Sequence, residues 1–126
     1  MAYHVSKAAF GQFVEQVLAA VPAPFAQFLE EVVFEVRDHA TPEMLTGLGV
    51  RGRRQLLGLY HGRPRTRRSI EDSGQLPDII YIFQEPIELV CRTESDLKEQ
   101  IRVTVLHEVG HHFGLDEDDL SRLGYS

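Results

Sequence analysis

The stretch Val105-Leu-His-Glu-Val-Gly-His-His-Phe-Gly-Leu-Asp-Glu-Asp-Asp119 gathers three of the chain's six histidines within six residues and follows them with four consecutive acids. His107 and His111 stand four residues apart, so on an α-helix their imidazoles share one face about a turn apart. At that spacing two ring nitrogens reach a single zinc ion at about 2.0–2.1 Å each. Glu108 lies roughly 100° around the helix from His107. It can flank such an ion without ligating it, which is the place for a general base acting on a zinc-activated water.

A catalytic zinc needs a third protein ligand and an open fourth position. A continuing helix cannot supply that ligand, because six further residues rise about 9 Å. The chain has to turn back, and Gly114 permits the turn. Of the acids that follow, Glu117, ten residues after His107, is the expected third ligand, with Asp118 and Asp116 in reserve. His112 faces the apolar side of the helix and reads as a packed or supporting histidine. Each piece has a bland counterpart. A bare His-Glu-x-x-His arises by chance about once in a few hundred chains of this size, and Asp116 could cap a short final helix. Helical context, a bounding glycine and acids within reach together favour zinc.

These residues need elements to position them. Leu97, Ile101, Val105, Val109 and Phe113 recur every four residues, which predicts a helix from Ser95 to about Phe113 with one buried stripe. A last short helix is expected from about Asp118 to Leu123. Upstream, Phe10, Val14, Val17, Leu18 and Val21 predict a helix over 7–21, with Ser6 as its N-cap. A short second helix is expected from Pro24 to Glu31. Val32–Arg37, Leu56–His61 and Asp78–Phe83 read as strands. Pro42–Leu45 suits one helical turn, and Pro86 leaves residues 84–92 open between strand and helical turn.

With 126 residues, 43% of them hydrophobic and 25% charged, the chain fits one domain, 1–126, with its own core. A single cysteine, Cys91, excludes an intramolecular disulfide and a thiolate metal cluster, and reads as a small buried hydrophobe. No apolar run approaches the roughly 18 residues that span a bilayer. Leu18-Ala-Ala-Val-Pro-Ala23 has the look of a signal cleavage site, but Gln12, Glu15 and Gln16 interrupt any apolar region before it. The expectation is a mature helix in a cytoplasmic protein without a membrane partner. The net charge of −6 is uneven: Arg51, Arg53, Arg54, Arg63, Arg65, Arg67 and Arg68 are seven of the 13 basic residues, in a segment without acids.

His107-Glu-Val-Gly-His-His-Phe-Gly-Leu-Asp-Glu117 resembles the extended zincin motif, His-Glu-x-x-His-x-x-Gly-x-x-(His/Asp/Glu). The chain further resembles the small bacterial zincin-like metallopeptidases, sometimes called minimal zincins, over roughly Gly58 to Leu120. That stretch takes in Gly58-Leu-Tyr-His-Gly62, the strand after Pro77, the histidine helix and the acids after it. The resemblance implies zinc held by His107, His111 and Glu117, with Glu108 as catalytic base. It also implies an α+β, zincin-like fold: a small mixed β-sheet packed against N-terminal helices and the active-site helix, with an edge strand along the cleft. Asp78–Phe83 is the candidate for that edge. The sequence departs from metzincins in having no methionine after Met44 and only 15 residues after His111.

The expected activity is zinc-dependent hydrolysis of peptides or unfolded proteins. Tyr60, His61, Tyr81 and Tyr125 have the chemistry to stabilise an oxyanion, and the sequence gives none of them a location. Two rivals stand beside this reading. One is a zinc-binding protein without turnover. The other is a binder of nucleic acid or an acidic partner through Arg51–Arg68; no nucleic-acid-binding signature accompanies those arginines, and a solvated loop flanking a strand is the plainer reading of them.

Overall fold

The computed structural model describes residues 2–21, 25–46, 56–61, 78–112 and 117–122, except for the side chains of Phe25, Phe28, Glu31, His111, His112, Glu117, Asp119 and Leu120. The seven arginines between positions 51 and 68 and residues 113–116, with Phe113, Gly114 and Asp116, lie outside the described residues, as does Tyr125.

Helix α1 (Lys7–Ala19) opens where Ser6 accepts the Ala9 N–H at 3.0 Å, and it buries Phe10, Val14 and Val17. Helix α2 (Phe25–Phe28) tightens into a 3₁₀ turn (Leu29–Glu31) before strand β1 (Val32–Arg37). Thr41 caps the single turn α3 (Pro42–Leu45). Strands β2 (Gly58–His61) and β3 (Asp78–Phe83) follow. The ambiguous residues form helix α4 (Gln84–Leu89). Pro86 does not break it, because it occupies the first turn, where a backbone N–H has no intrahelical acceptor. Helix α5 (Glu94–His112) begins one residue before Ser95 because Thr93 accepts the Asp96 N–H at 3.0 Å. Helix α6 (Glu117–Arg122) closes the described chain.

The three strands form one mixed sheet in the order β1-β3-β2, with β1 parallel and β2 antiparallel to β3. This corrects the expected edge. Asp78–Phe83 is the central strand, hydrogen-bonded on both sides, and among the described residues β2 forms the edge that lies on α5. The physical reason is in the residues. Asp-Ile-Ile-Tyr-Ile-Phe is nearly continuous in apolar character and almost wholly buried, as a strand covered on both faces must be.

Alternation along β3 divides the core. Ile80 and Ile82 join Phe10, Val14 and Val17 of α1 and Leu97, Ile101, Val105, Leu106 and Val109 of α5. Tyr81 and Phe83 face the other way, towards Ala40, with Met44, Leu45, Leu59 and Ile79 around them. Cys91 is 1% exposed within the helix-side core, and burial pushes its thiol pKa up, so it packs as a protonated apolar group. Residues before α1 are tied to α4. The buried Glu88 carboxylate accepts the Val5 N–H at 2.8 Å, and the Gln84 amide donates to the Val5 carbonyl at 3.1 Å.

Strand β2 brings the Gly58 backbone close to side chains of α5. A Cβ on Gly58 would stand 2.6 Å from Thr104 Cγ2, 3.2 Å from the Tyr81 carbonyl oxygen and 3.4 Å from Glu108 Cγ. Thr104 is buried and β-branched, so its methyl has little room to yield. Gly58→Ala is therefore expected to destabilise the fold by about 1–3 kcal/mol through overpacking. Thr104→Ser, which removes the opposing methyl, should return part of that loss in the double variant. Urea midpoints of the four proteins measure the coupling; strictly additive effects would contradict the contact.

Candidate active site

His107 and Glu108 lie in the last turns of α5, and both side chains are partly exposed. The helix carries His111 one turn further on, within the same continuous element. The side chains of His111 and Glu117, two of the three expected metal ligands, are outside the described residues, and so is Asp116. The backbone of Glu117 opens α6, and Asp118, the other reserve, is solvent-exposed. Among the described residues no three His, Cys, Asp or Glu side chains come together to hold a metal. The donor types nonetheless suit zinc: two histidines four residues apart on one helix and acids that follow them in the sequence.

The position of Glu108 is set from the sheet. The Tyr60 N–H donates to Glu108 Oε1 at 2.8 Å, across 48 residues of sequence. Strand geometry explains why that donor is directed towards the helix. The Phe83 N–H donates to the Leu57 carbonyl at 2.9 Å, so residues 57 and 83 form a hydrogen-bonded antiparallel pair. Alternation then makes Gly58↔Ile82 and Tyr60↔Ile80 non-bonded pairs, with their peptide groups directed away from β3. A carboxylate held this way has one oxygen engaged by the strand and its orientation restricted.

Beside this contact, Leu56, Gly58, Val103, Thr104, His107 and Glu108 help to line a cavity of about 220 Å³ between β2 and α5. A larger groove of about 520 Å³ runs between α1 and the first half of α5, past Val17, Val21, Lys98 and Arg102. It contains neither His107 nor Glu108. The smaller cavity therefore carries the interest.

The three described candidates for oxyanion stabilisation are now located. The Tyr60 hydroxyl donates to Asp78 Oδ2 at 2.8 Å, and Asp78 is 1% exposed. That hydroxyl hydrogen is committed to a buried carboxylate. His61 and Tyr81 belong to the opposite face of the sheet by alternation, with their ring centroids 6.4 Å apart. Tyr81 stacks there on Phe83, and Arg37 lies over its ring at 5.2 Å. The sequence reading missed the roles of Gly58 and of the Tyr60 peptide group. Gly58 did carry a signal, since a glycine inside a strand marks close backbone approach. The Tyr60 N–H carried none, because a peptide donor leaves no trace in residue type.

Among the described residues no helix is long and apolar enough to cross a membrane. No curated protein matches the chain. The family described as zincin-like metallopeptidase matches residues 29–125, a span that takes in all three strands and the histidine helix with its acidic sequel. The chain belongs to the zincin-like metallopeptidase family.

Proposed function

We propose that the protein is a zinc-dependent peptidase in which His107, His111 and Glu117 hold the metal and Glu108 is the general base. The supporting observation is the hydrogen bond that fixes Glu108 against β2 beside His107, in the lining of a cavity between sheet and helix. Bound by those ligands, zinc would supply a water of lowered pKa and polarisation of the scissile carbonyl. The Glu108 carboxylate accepts the proton of the attacking water and delivers it to the departing amine. Membership of a peptidase family indicates peptide substrates.

An extended peptide would lie along β2, whose Gly58 and Tyr60 peptide groups are directed away from β3. A side chain next to the scissile bond would then enter the cavity bordered by Val103 and Thr104. Its volume of about 220 Å³ suits a single aliphatic side chain better than a large ligand.

Three variants test the assignment. Glu108→Gln should keep stoichiometric zinc while hydrolysis of unstructured peptides falls by about 10²–10⁴-fold, the usual contribution of a positioned acid–base group. Unchanged hydrolysis would reject Glu108 as the base. His107→Ala should abolish zinc retention in elemental analysis after dialysis. Glu117→Ala should weaken zinc binding strongly, whereas Asp118→Ala should leave it near wild type; the reverse order would transfer the third ligand to Asp118. Zinc bound by the wild type with no turnover of a diverse peptide library would favour the silent metal-binding reading instead.

A further inference from the structure

We infer that the peptide N–H of Tyr60 is a positioning group for catalysis: it orients the Glu108 carboxylate, so that strand β2 sets the geometry of the base. The inference rests on Glu108 being the base, as proposed above, and on three independent restraints that converge on this residue. The Tyr60 N–H donates to Glu108 Oε1 at 2.8 Å. The Tyr60 hydroxyl donates to Asp78 Oδ2 at 2.8 Å, which anchors the far end of the side chain to a carboxylate at the start of β3. Two residues earlier, Gly58 brings β2 against Thr104 and the Glu108 side chain itself. A tyrosine held at its hydroxyl, with its ring against the helix-side core, has little freedom to move its own peptide group.

The alternation of β2 makes this N–H the appropriate donor. Leu59 and His61 direct their peptide groups into the ladder with β3, whereas Tyr60 directs its own outwards. On an ordinary sheet edge that donor would serve water or an incoming strand. Here it holds a glutamate side chain that otherwise has three rotatable bonds, so the freedom of the base is restricted before substrate arrives. The arrangement also limits recognition. With the Tyr60 N–H engaged, an incoming peptide meets one donor fewer on β2 than on a bare edge.

A proline tests a backbone donor cleanly at this position, because an outward-facing edge N–H contributes nothing to the sheet ladder. Tyr60→Pro removes both ring and N–H, and Tyr60→Ala removes the ring alone, so comparing the two isolates the donor. Relative to Tyr60→Ala, Tyr60→Pro should lower kcat about 10–100-fold with KM and zinc affinity little changed, the pattern of a misplaced catalytic group. Equal kcat in the two variants would overturn the inference.

A second measurement needs neither activity nor metal. In the wild-type protein the Tyr60 amide should exchange slowly with solvent, and in Glu108→Ala that one amide should exchange at least tenfold faster, while those of Leu59 and His61 are unchanged. Equal exchange at Tyr60 in both proteins would overturn the inference by itself. If the wild type hydrolyses no peptide, the peptidase reading fails, and the exchange result still decides whether β2 positions Glu108.

Discussion

The approach of strand β2 to helix α5 is the constraint on which the rest depends. Two polar contacts and one steric one define it: the Tyr60 N–H on Glu108, the Tyr60 hydroxyl on Asp78, and the space left by the missing Cβ of Gly58 over Thr104. A helix cannot by itself decide which way a glutamate at its surface will point. The sheet edge does so here. The sheet is in turn held to the helix by an apolar layer in which Ile80 and Ile82 meet Ile101, Val105 and Val109. Burial thus sets the distance between the layers, and the hydrogen bonds set the direction of the chemical group between them.

That division of labour accounts for where polarity is tolerated in the core. Asp78 and Thr104 are both buried, and both serve the strand–helix junction: Asp78 receives the Tyr60 hydroxyl, and Thr104 lies under Gly58 and accepts from the Gln100 amide at 3.4 Å. A buried carboxylate is costly unless charge-assisted hydrogen bonds compensate it. Its presence at the first residue of the central strand links the stability of the sheet to the position of Tyr60. Glu88 plays a comparable part at the other end of β3, where it and Gln84 fasten the segment before α1 to α4.

Much of the layout was legible in the residues. The β-branched runs Val32–Arg37 and Asp78–Phe83 form strands with the expected limits, and Ser6 caps α1 as anticipated. The four-residue recurrence from Leu97 to Val109 is the buried stripe of α5, and Cys91 is a core residue. What failed has identifiable causes. Pro86 obscured a helix because its position within the first turn cannot be known before the helix boundary is. The edge strand was misplaced because a long apolar run attracts attention, although continuous burial is the mark of a central strand. The short strand with a glycine and a polar histidine carries the edge. Of the site, the spacing of His107, Glu108 and His111 on one helix could be read directly. The hydrogen bond from Tyr60 could not, since it depends on strand register and on a peptide group common to every residue but proline.

The central claim is that two imidazoles of α5 and a carboxylate after it hold one zinc ion beside Glu108. X-ray absorption spectroscopy at the zinc edge of the metal-loaded protein tests it most directly. The account predicts two imidazole nitrogens and oxygen-only remaining ligands, all at about 2.0–2.2 Å, with one imidazole lost from the shell in His111→Ala. A shell with fewer than two imidazoles, or one unaltered by His111→Ala, would contradict it.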